Sequence, residues 1–266
     1  VYRIHDPPAR VAVLAAAAGP EVAVAQAFGF ETVDAIDIAS EIFDLVDERF
    51  ADVPVNPFRQ PGVRRVHADG RAAILGAREP YAIIQMVHAN LWSSAGLLAA
   101  TWSPSLLETR EAFGTYLDHL LPDGTLAFSR GNQTGSLVAP AAAALRARGV
   151  VPAWRAIALV DSDNPVLLVK KRPWTEDERA RLVAGMSARA RLAIDPLAAE
   201  LSPEGRQVLN RASVLTDDRP YLDRPALVWN ALRGLGRGDG LGSVLGSLYQ
   251  CLVVQGLFVL AAGVVF

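Results

Sequence analysis

An α/β fold built on a mostly parallel sheet is predicted by three features of the sequence. Short apolar runs alternate with helix-like stretches from Arg10 to Gly149, the pattern of βα units packed in layers. Turn and cap signals separate these runs at regular intervals. The last two runs are joined only by the polar turn Asp161-Ser-Asp-Asn-Pro165, which suits an antiparallel hairpin and not a helical crossover.

The elements follow in order. Arg10–Ala16 reads as the first strand and Glu21–Phe28 as a helix. Thr32–Ile36 is the second strand, and Ser40 caps a helix to about Phe50. Val63–His67 is the third strand, with a short helix after Gly70, and Tyr81–Met86 is the fourth. Ser105-Leu-Leu-Glu108 has the form of a capping box, opening a helix that ends near Leu121 before Pro122-Asp-Gly124. Thr125–Ser129 is the fifth strand, followed by an Ala-rich helix to Gly149. Arg155–Val160 and Val166–Lys170 form the hairpin, with Arg155–Val160 expected to run antiparallel to its neighbours. Thr175-Glu-Asp-Glu178 caps a further helix, and the chain to about Leu235 reads as a helical extension.

Composition narrows the function. The 266 residues carry 26 Lys+Arg against 28 Asp+Glu, so no basic surplus marks a nucleic-acid binder. A single cysteine, Cys251, excludes an internal disulfide framework, and the four histidines lack metal-site spacing. No metal is expected. The chain opens on Val1 without a charged leader and reads as a piece of a longer polypeptide.

After Asp239 no charged residue follows, and Gly240–Phe266 is long enough to span a bilayer as a helix. The expected organisation is an α/β domain over 1–174, a helical extension and connector over 175–239, and a transmembrane helix over 240–266. This last helix can be the first part of a membrane region. Arg233 and Arg237 just before it place the preceding domain on the cytoplasmic side.

In such sheets ligands bind at the carboxyl ends of the strands, at the topological switch point. After the first strand comes the small-residue turn Ala15-Ala-Ala-Ala-Gly19, where Gly19 alone is free to take a positive φ. No G-x-G-x-x-G is present, which argues against a dinucleotide dehydrogenase. Asp37 ends the second strand, where a carboxylate can accept both ribose hydroxyls of a nucleoside; the alternative is a solvated acid or local turn cap. Asp69-Gly70 after the third strand could meet an adenine amino group, or serve as a turn and N-cap.

The motifs Val33-Asp-Ala-Ile-Asp37, Asp44-Leu-Val-Asp-Glu-Arg-Phe50, Val66-His-Ala-Asp-Gly70, Tyr81-Ala-Ile-Ile-Gln85 and Thr216-Asp-Asp-Arg-Pro-Tyr221 resemble spermidine synthase-like proteins. The resemblance is greatest to the bacterial multi-span type, whose soluble domain is attached to membrane helices. It implies a Rossmann-like, seven-stranded class I S-adenosylmethionine-dependent transferase fold. It also implies S-adenosylmethionine or its decarboxylated form as ligand. By position, Ala15, Ala17 and Gly19 would face the ligand's tail, Asp37 its ribose, and Asp69 and Gly70 its adenine.

Two departures stand beside the resemblance. The family's glycine-rich turn is mostly alanine here, and Ala17 puts a methyl where the backbone approaches the ligand. Spermidine synthases also use carboxylates after the fourth strand, whereas Tyr81–Asn90 contains no acid. Gln85 and Asn90 can hydrogen-bond an amine but cannot deprotonate it, and His88 is the one side chain there able to take a proton near neutral pH. A packed histidine is the competing account of His88.

The loop 91–103, with Trp92 and Trp102, would overhang the pocket or pack against neighbouring structure. Asp217, Asp218 and Arg219 read as a local ion-paired turn. Two functional readings therefore stand: a transferase of unknown acceptor, and a catalytically degenerate module that binds a nucleoside or organises membrane helices.

Overall fold

A computed structural model describes residues 1–49, 56–87, 106–131, 133–210 and 214–220. Its strands are β1 (Arg10–Leu14), β2 (Thr32–Asp37), β3 (Val63–His67), β4 (Tyr81–Val87), β5 (Leu120–Ser129), β6 (Ile157–Asp161), β7 (Val166–Lys170) and β8 (Arg191–Ile194). The helices among these residues are α1 (Pro20–Ala27), α2 (Ser40–Arg49), α3 (Gly70–Leu75), α4 (Arg110–Asp118), α5 (Val138–Ala147), α6 (Glu176–Ala184) and α7 (Pro203–Leu209). All eight strands join one sheet in the order β3-β2-β1-β4-β5-β7-β6-β8.

The first five strands are mutually parallel, while β7 runs antiparallel to both β5 and β6. The sheet thus has eight strands where seven are expected. The additional strand is β8, which pairs antiparallel with the outer edge of β6. It falls in the stretch read as a helical extension, so the sheet continues beyond residue 174. Its four residues are too few to display a period, and only Ala193 and Ile194 are buried.

Alternation along each strand builds two apolar layers. Val11, Val13, Val33, Ala35 and Ile83 pack with α1 and α2, while Ala12, Leu14, Ile36, Ile84 and Met86 pack with α4 and α5. Burial on both faces explains why the parallel strands read as nearly continuous apolar runs. The helix expected from Ser105 begins later. Leu106–Glu108 forms a 3-10 turn, and Thr109 caps α4 by accepting the Ala112 N–H. Its end is earlier too, because β5 already starts at Leu120 and carries Pro122–Gly124 within it.

Two charge networks lie at the amino ends of the parallel strands. Asp34 accepts from Arg10 at 2.6 Å, from Arg64 at 2.8 and 2.9 Å and from the Tyr81 hydroxyl at 2.7 Å, tying four strands together. Farther along, the fully buried Lys170 donates to the Asp123 carbonyl and to Thr125 Oγ1 and pairs with Glu178 at 3.0 Å. Burial pushes the Glu178 carboxyl up, but Arg172, the Thr175 N–H and Lys170 outweigh it and hold the group at about 2. His5 bonds Thr125 Oγ1 through Nε2 at 2.9 Å, and burial, with Lys170 nearby, lowers its pKa to about 4.

These shifts set a pH dependence. The unfolded chain takes a proton on His5 near pH 6.5, whereas the folded chain does so only near 4, so stability falls with pH through that window. Glu178 adds a second loss between its ordinary value and about 2. Urea midpoints measured from pH 7 to 4 should fall steadily, and His5→Gln should flatten the upper part of that fall.

Among the described residues no helix is long and apolar enough to cross a membrane. The expected span over 240–266 lies outside the described residues.

Candidate functional site

The strand order reverses between β1 and β4, so a crevice opens at the carboxyl ends of β1, β2 and β3. A cavity of about 100 Å³ lies there. Ala15, Ile36, Asp37 and Ile38 line it together with Ala68, Asp69, Gly70 and Leu107. Four of the six predicted ligand-binding residues (Ala15, Asp37, Asp69 and Gly70) therefore come together around one space. The cavity is smaller than the roughly 300–1,000 Å³ of a site that encloses a drug-sized ligand, so it accommodates only part of a nucleoside in this form.

Asp37 is 6% exposed. Its Oδ2 accepts the Ala17 N–H and its Oδ1 the Ala39 N–H, each at 2.9 Å. Each oxygen keeps an acceptor site, because a carboxylate offers about four lone-pair positions. The solvated-acid alternative is thus displaced: Asp37 is a buried anchor for the turn after β1. The same turn is closed by Gly19 N–H to Ala16 O at 2.8 Å. Gly19 has φ +85, and a Cβ there would stand 2.6 Å from Pro57 Cγ, so glycine is required on two counts.

Ala15 and Ala17 also hold left-handed dihedrals, with φ of 53 and 46. Ala17 is exposed and does not line the cavity, so its methyl strains the backbone without filling that space. An L-residue in this region costs roughly 1–2 kcal/mol, against about 0.5–1 kcal/mol of extra chain entropy for glycine. Ala17→Gly should therefore raise the thermal midpoint by a few degrees, as scanning calorimetry would register.

Asp69 caps α3, its Oδ1 accepting the Ala72 N–H at 2.9 Å. Both alternatives read for it are therefore compatible, since the exposed carboxylate keeps a second oxygen and Asp69 is among the residues lining the cavity. Gly70 is buried, and a Cβ there would touch Leu107 and Leu14 at 3.5 Å.

Of the three candidate catalytic residues, only Gln85 is described; His88 and Asn90 lie outside the described residues, as does the loop 91–103. The Gln85 Oε1 accepts the Tyr2 hydroxyl at 2.5 Å. It shares the face of Val13, its partner across β1–β4. The cavity's Ile36 belongs to the opposite apolar layer. Gln85 is thus held by the amino-terminal segment and does not line the cavity.

Sequence reasoning missed a buried pair at the carboxyl end of β5. Glu108, 4% exposed, forms an ion pair with Arg130, and the neighbouring Ser129 Oγ is buried with no hydrogen-bond partner among the described residues. The Ser105–Glu108 spacing reads as a capping box, which gives the acid a local partner. An acid next to the cavity-lining Leu107 is the signal that could have found it.

The late motif is anchored differently from the local turn expected. Asp217 accepts from Arg71 at 2.8 Å and from Thr109 Oγ1 at 2.6 Å. Both of these partners are remote from it in sequence.

No family model matches the chain, and no curated protein matches it in sequence. Among solved structures it is similar to a probable spermidine synthase from Corynebacterium glutamicum, at 16% identity and a TM-score of 0.54 over 78% of this chain and 72% of that one. Human methyltransferase-like protein 13, in complex with SAH, is 14% identical with a TM-score of 0.48, over 81% of this chain and 91% of that one. Spermidine synthase from Thermotoga maritima is 12% identical with a TM-score of 0.43, over 83% and 67%. The likeness to the first of these shows a Rossmann-like α/β fold, here with β8 at one edge of the sheet.

Proposed function

We propose that the chain is a membrane-attached, spermidine synthase-like transferase domain that takes S-adenosylmethionine or its decarboxylated form. The observation that carries this reading is Asp37. A buried carboxylate at the end of β2, fixed by two backbone N–H groups, keeps acceptor capacity beside a cavity that Asp69 and Gly70 also line. A nucleoside-type ligand would lay its ribose on Asp37, its adenine towards Asp69 and Gly70, and its tail along Ala15–Gly19. The nucleoside sulfonium supplies an electrophilic carbon, so the protein's task is to orient an acceptor and remove its proton. His88 is the side chain in 81–90 with a suitable proton affinity, and the acceptor is of unspecified class. The uncharged run 240–266 supplies the attachment, with the domain on the cytoplasmic side.

A second reading, a nucleoside-binding module without turnover, is favoured by the absence of an acid from Tyr81 to Asn90. Titration calorimetry of the full chain in detergent separates the possibilities. S-adenosylmethionine, its decarboxylated form and methylthioadenosine are the probes. Heat with all three supports a nucleoside site, and a preference between the first two identifies the tail. No heat with any of them overturns the proposal, whereas binding without consumption in the presence of polyamine acceptors favours the second reading.

A further inference from the structure

We propose that Asp217 is a positioning residue for the nucleoside site, a cross-clamp that holds the two walls of its base side at a fixed separation. The base-side part of this inference rests on the function proposed above; the clamp itself rests on contacts alone. One wall is the start of α3, where Asp69 and Gly70 line the cavity. The other is the turn that carries Leu107 into α4. These walls meet where the Gly70 backbone faces Leu107.

Asp217 reaches both walls with one carboxylate. Arg71, immediately after Gly70, places Nη1 2.8 Å from each carboxylate oxygen. Thr109, two residues after Leu107, donates its hydroxyl at 2.6 Å. The same hydroxyl accepts the Ala112 N–H and so caps α4. Donating to Asp217 directs its proton away and leaves its lone pairs for that cap. Two further bonds seat the turn: the Asp217 N–H donates to Glu111 Oε2 at 3.0 Å, and the Leu215 carbonyl accepts from the Arg110 N–H at 2.8 Å. The Thr216–Arg219 turn is thus tied to both walls by chain more than a hundred residues away in sequence.

The energetics separate positioning from stability. Side-chain exposure is 26% for Arg71 and 39% for Asp217, so the ion pair adds little to the folding free energy. A pair of this kind is informative for geometry, because two hydrogen bonds to one carboxylate fix the spacing of the groups that make them.

The test uses the full chain with S-adenosylhomocysteine as probe. Asp217→Ala should weaken its binding by about tenfold, with a thermal midpoint close to the parent's. Asp217→Glu, which retains the charge, should recover part of the loss. In the absence of ligand, amide exchange at Ala72 and Ala112, the capped N–H groups at the two helix starts, should quicken together in Asp217→Ala. Unchanged exchange at both amides overturns the clamp. Quickened exchange with unchanged affinity overturns its positioning role. If the parent chain itself fails to bind the probe, the base-side assignment falls, and the exchange result alone upholds or overturns the clamp.

Discussion

Asp34→Ala is expected to be the most destabilising single substitution in the sheet, lowering the unfolding free energy by about 3–5 kcal/mol, the range for breaking a buried ion pair by removing one partner. The Asp34 side chain is 3% exposed and Arg10 16%, whereas Arg64 is 63% exposed. Arg64 returns to water when Asp34 is lost, which draws the effect towards the lower end of that range. Arg10 and the buried Tyr81 hydroxyl lose their common acceptor, and they sit on the strands flanking the switch point. At about 2–4 °C per kcal/mol for a domain of this size, a loss of about 3 kcal/mol should drop the thermal midpoint by roughly 6–12 °C. Burial alone would raise the Asp34 pKa; bonds from Arg64 and Tyr81 and the charge of Arg10 bring it below the ordinary carboxylate value. Its contribution is therefore present above the unfolded pKa and fades as pH falls through the folded one. Arg64→Ala, at the exposed end of the same network, should cost under about 1 kcal/mol. Equal losses from Asp34→Ala and Arg64→Ala in urea titrations would refute this ranking.

The contrast between these networks and the strands explains what the sequence made legible. Runs such as Val11–Leu14 and Tyr81–Met86 are apolar on both faces because helices cover both sides, and that signal is local. The place of Asp37 at the end of β2 was legible from the apolar run before it, but its hold on the Ala17 and Ala39 N–H groups was not. The Asp34 network was not, since its acid, two arginines and tyrosine come from four strands brought together only by the crossovers. Glu108 was misread for a related reason. Ser105 and Glu108 have capping-box spacing, but the helix starts at Arg110 under a Thr109 cap, leaving Glu108 to face Arg130. Asp217, Asp218 and Arg219 read as a local ion-paired turn, while Arg71 and Thr109, which Asp217 bonds, lie far upstream. Charged residues carry little information about which distant partner they meet, because every exposed opposite charge is an equally good local choice until the fold is formed.

Asp37→Ala should remove binding of a nucleoside by more than a hundredfold, the largest expected effect on the site. Two ribose hydroxyls donating to a carboxylate contribute about 1.5–3 kcal/mol each, and one such bond at the middle of that range is already worth more than tenfold. The substitution has a second consequence that the end-of-strand position alone does not suggest. Asp37 holds the Ala17 and Ala39 N–H groups, so its loss releases the turn after β1 as well as the ribose acceptor. Ala17 is exposed and its N–H can turn to water, which limits the stability cost to about 1–2 kcal/mol and keeps the domain folded. Asp37→Asn sharpens the test, because the amide has one acceptor oxygen for two N–H donors and presents its own N–H₂ to the other. It should lose most of the affinity while nearly matching the parent in volume. Calorimetry with S-adenosylhomocysteine, paired with thermal midpoints, distinguishes the outcomes. A large affinity loss with a small midpoint shift in both variants supports the ribose assignment. Unchanged affinity in Asp37→Asn would mean that the carboxylate serves the turn alone and that any ligand lies elsewhere.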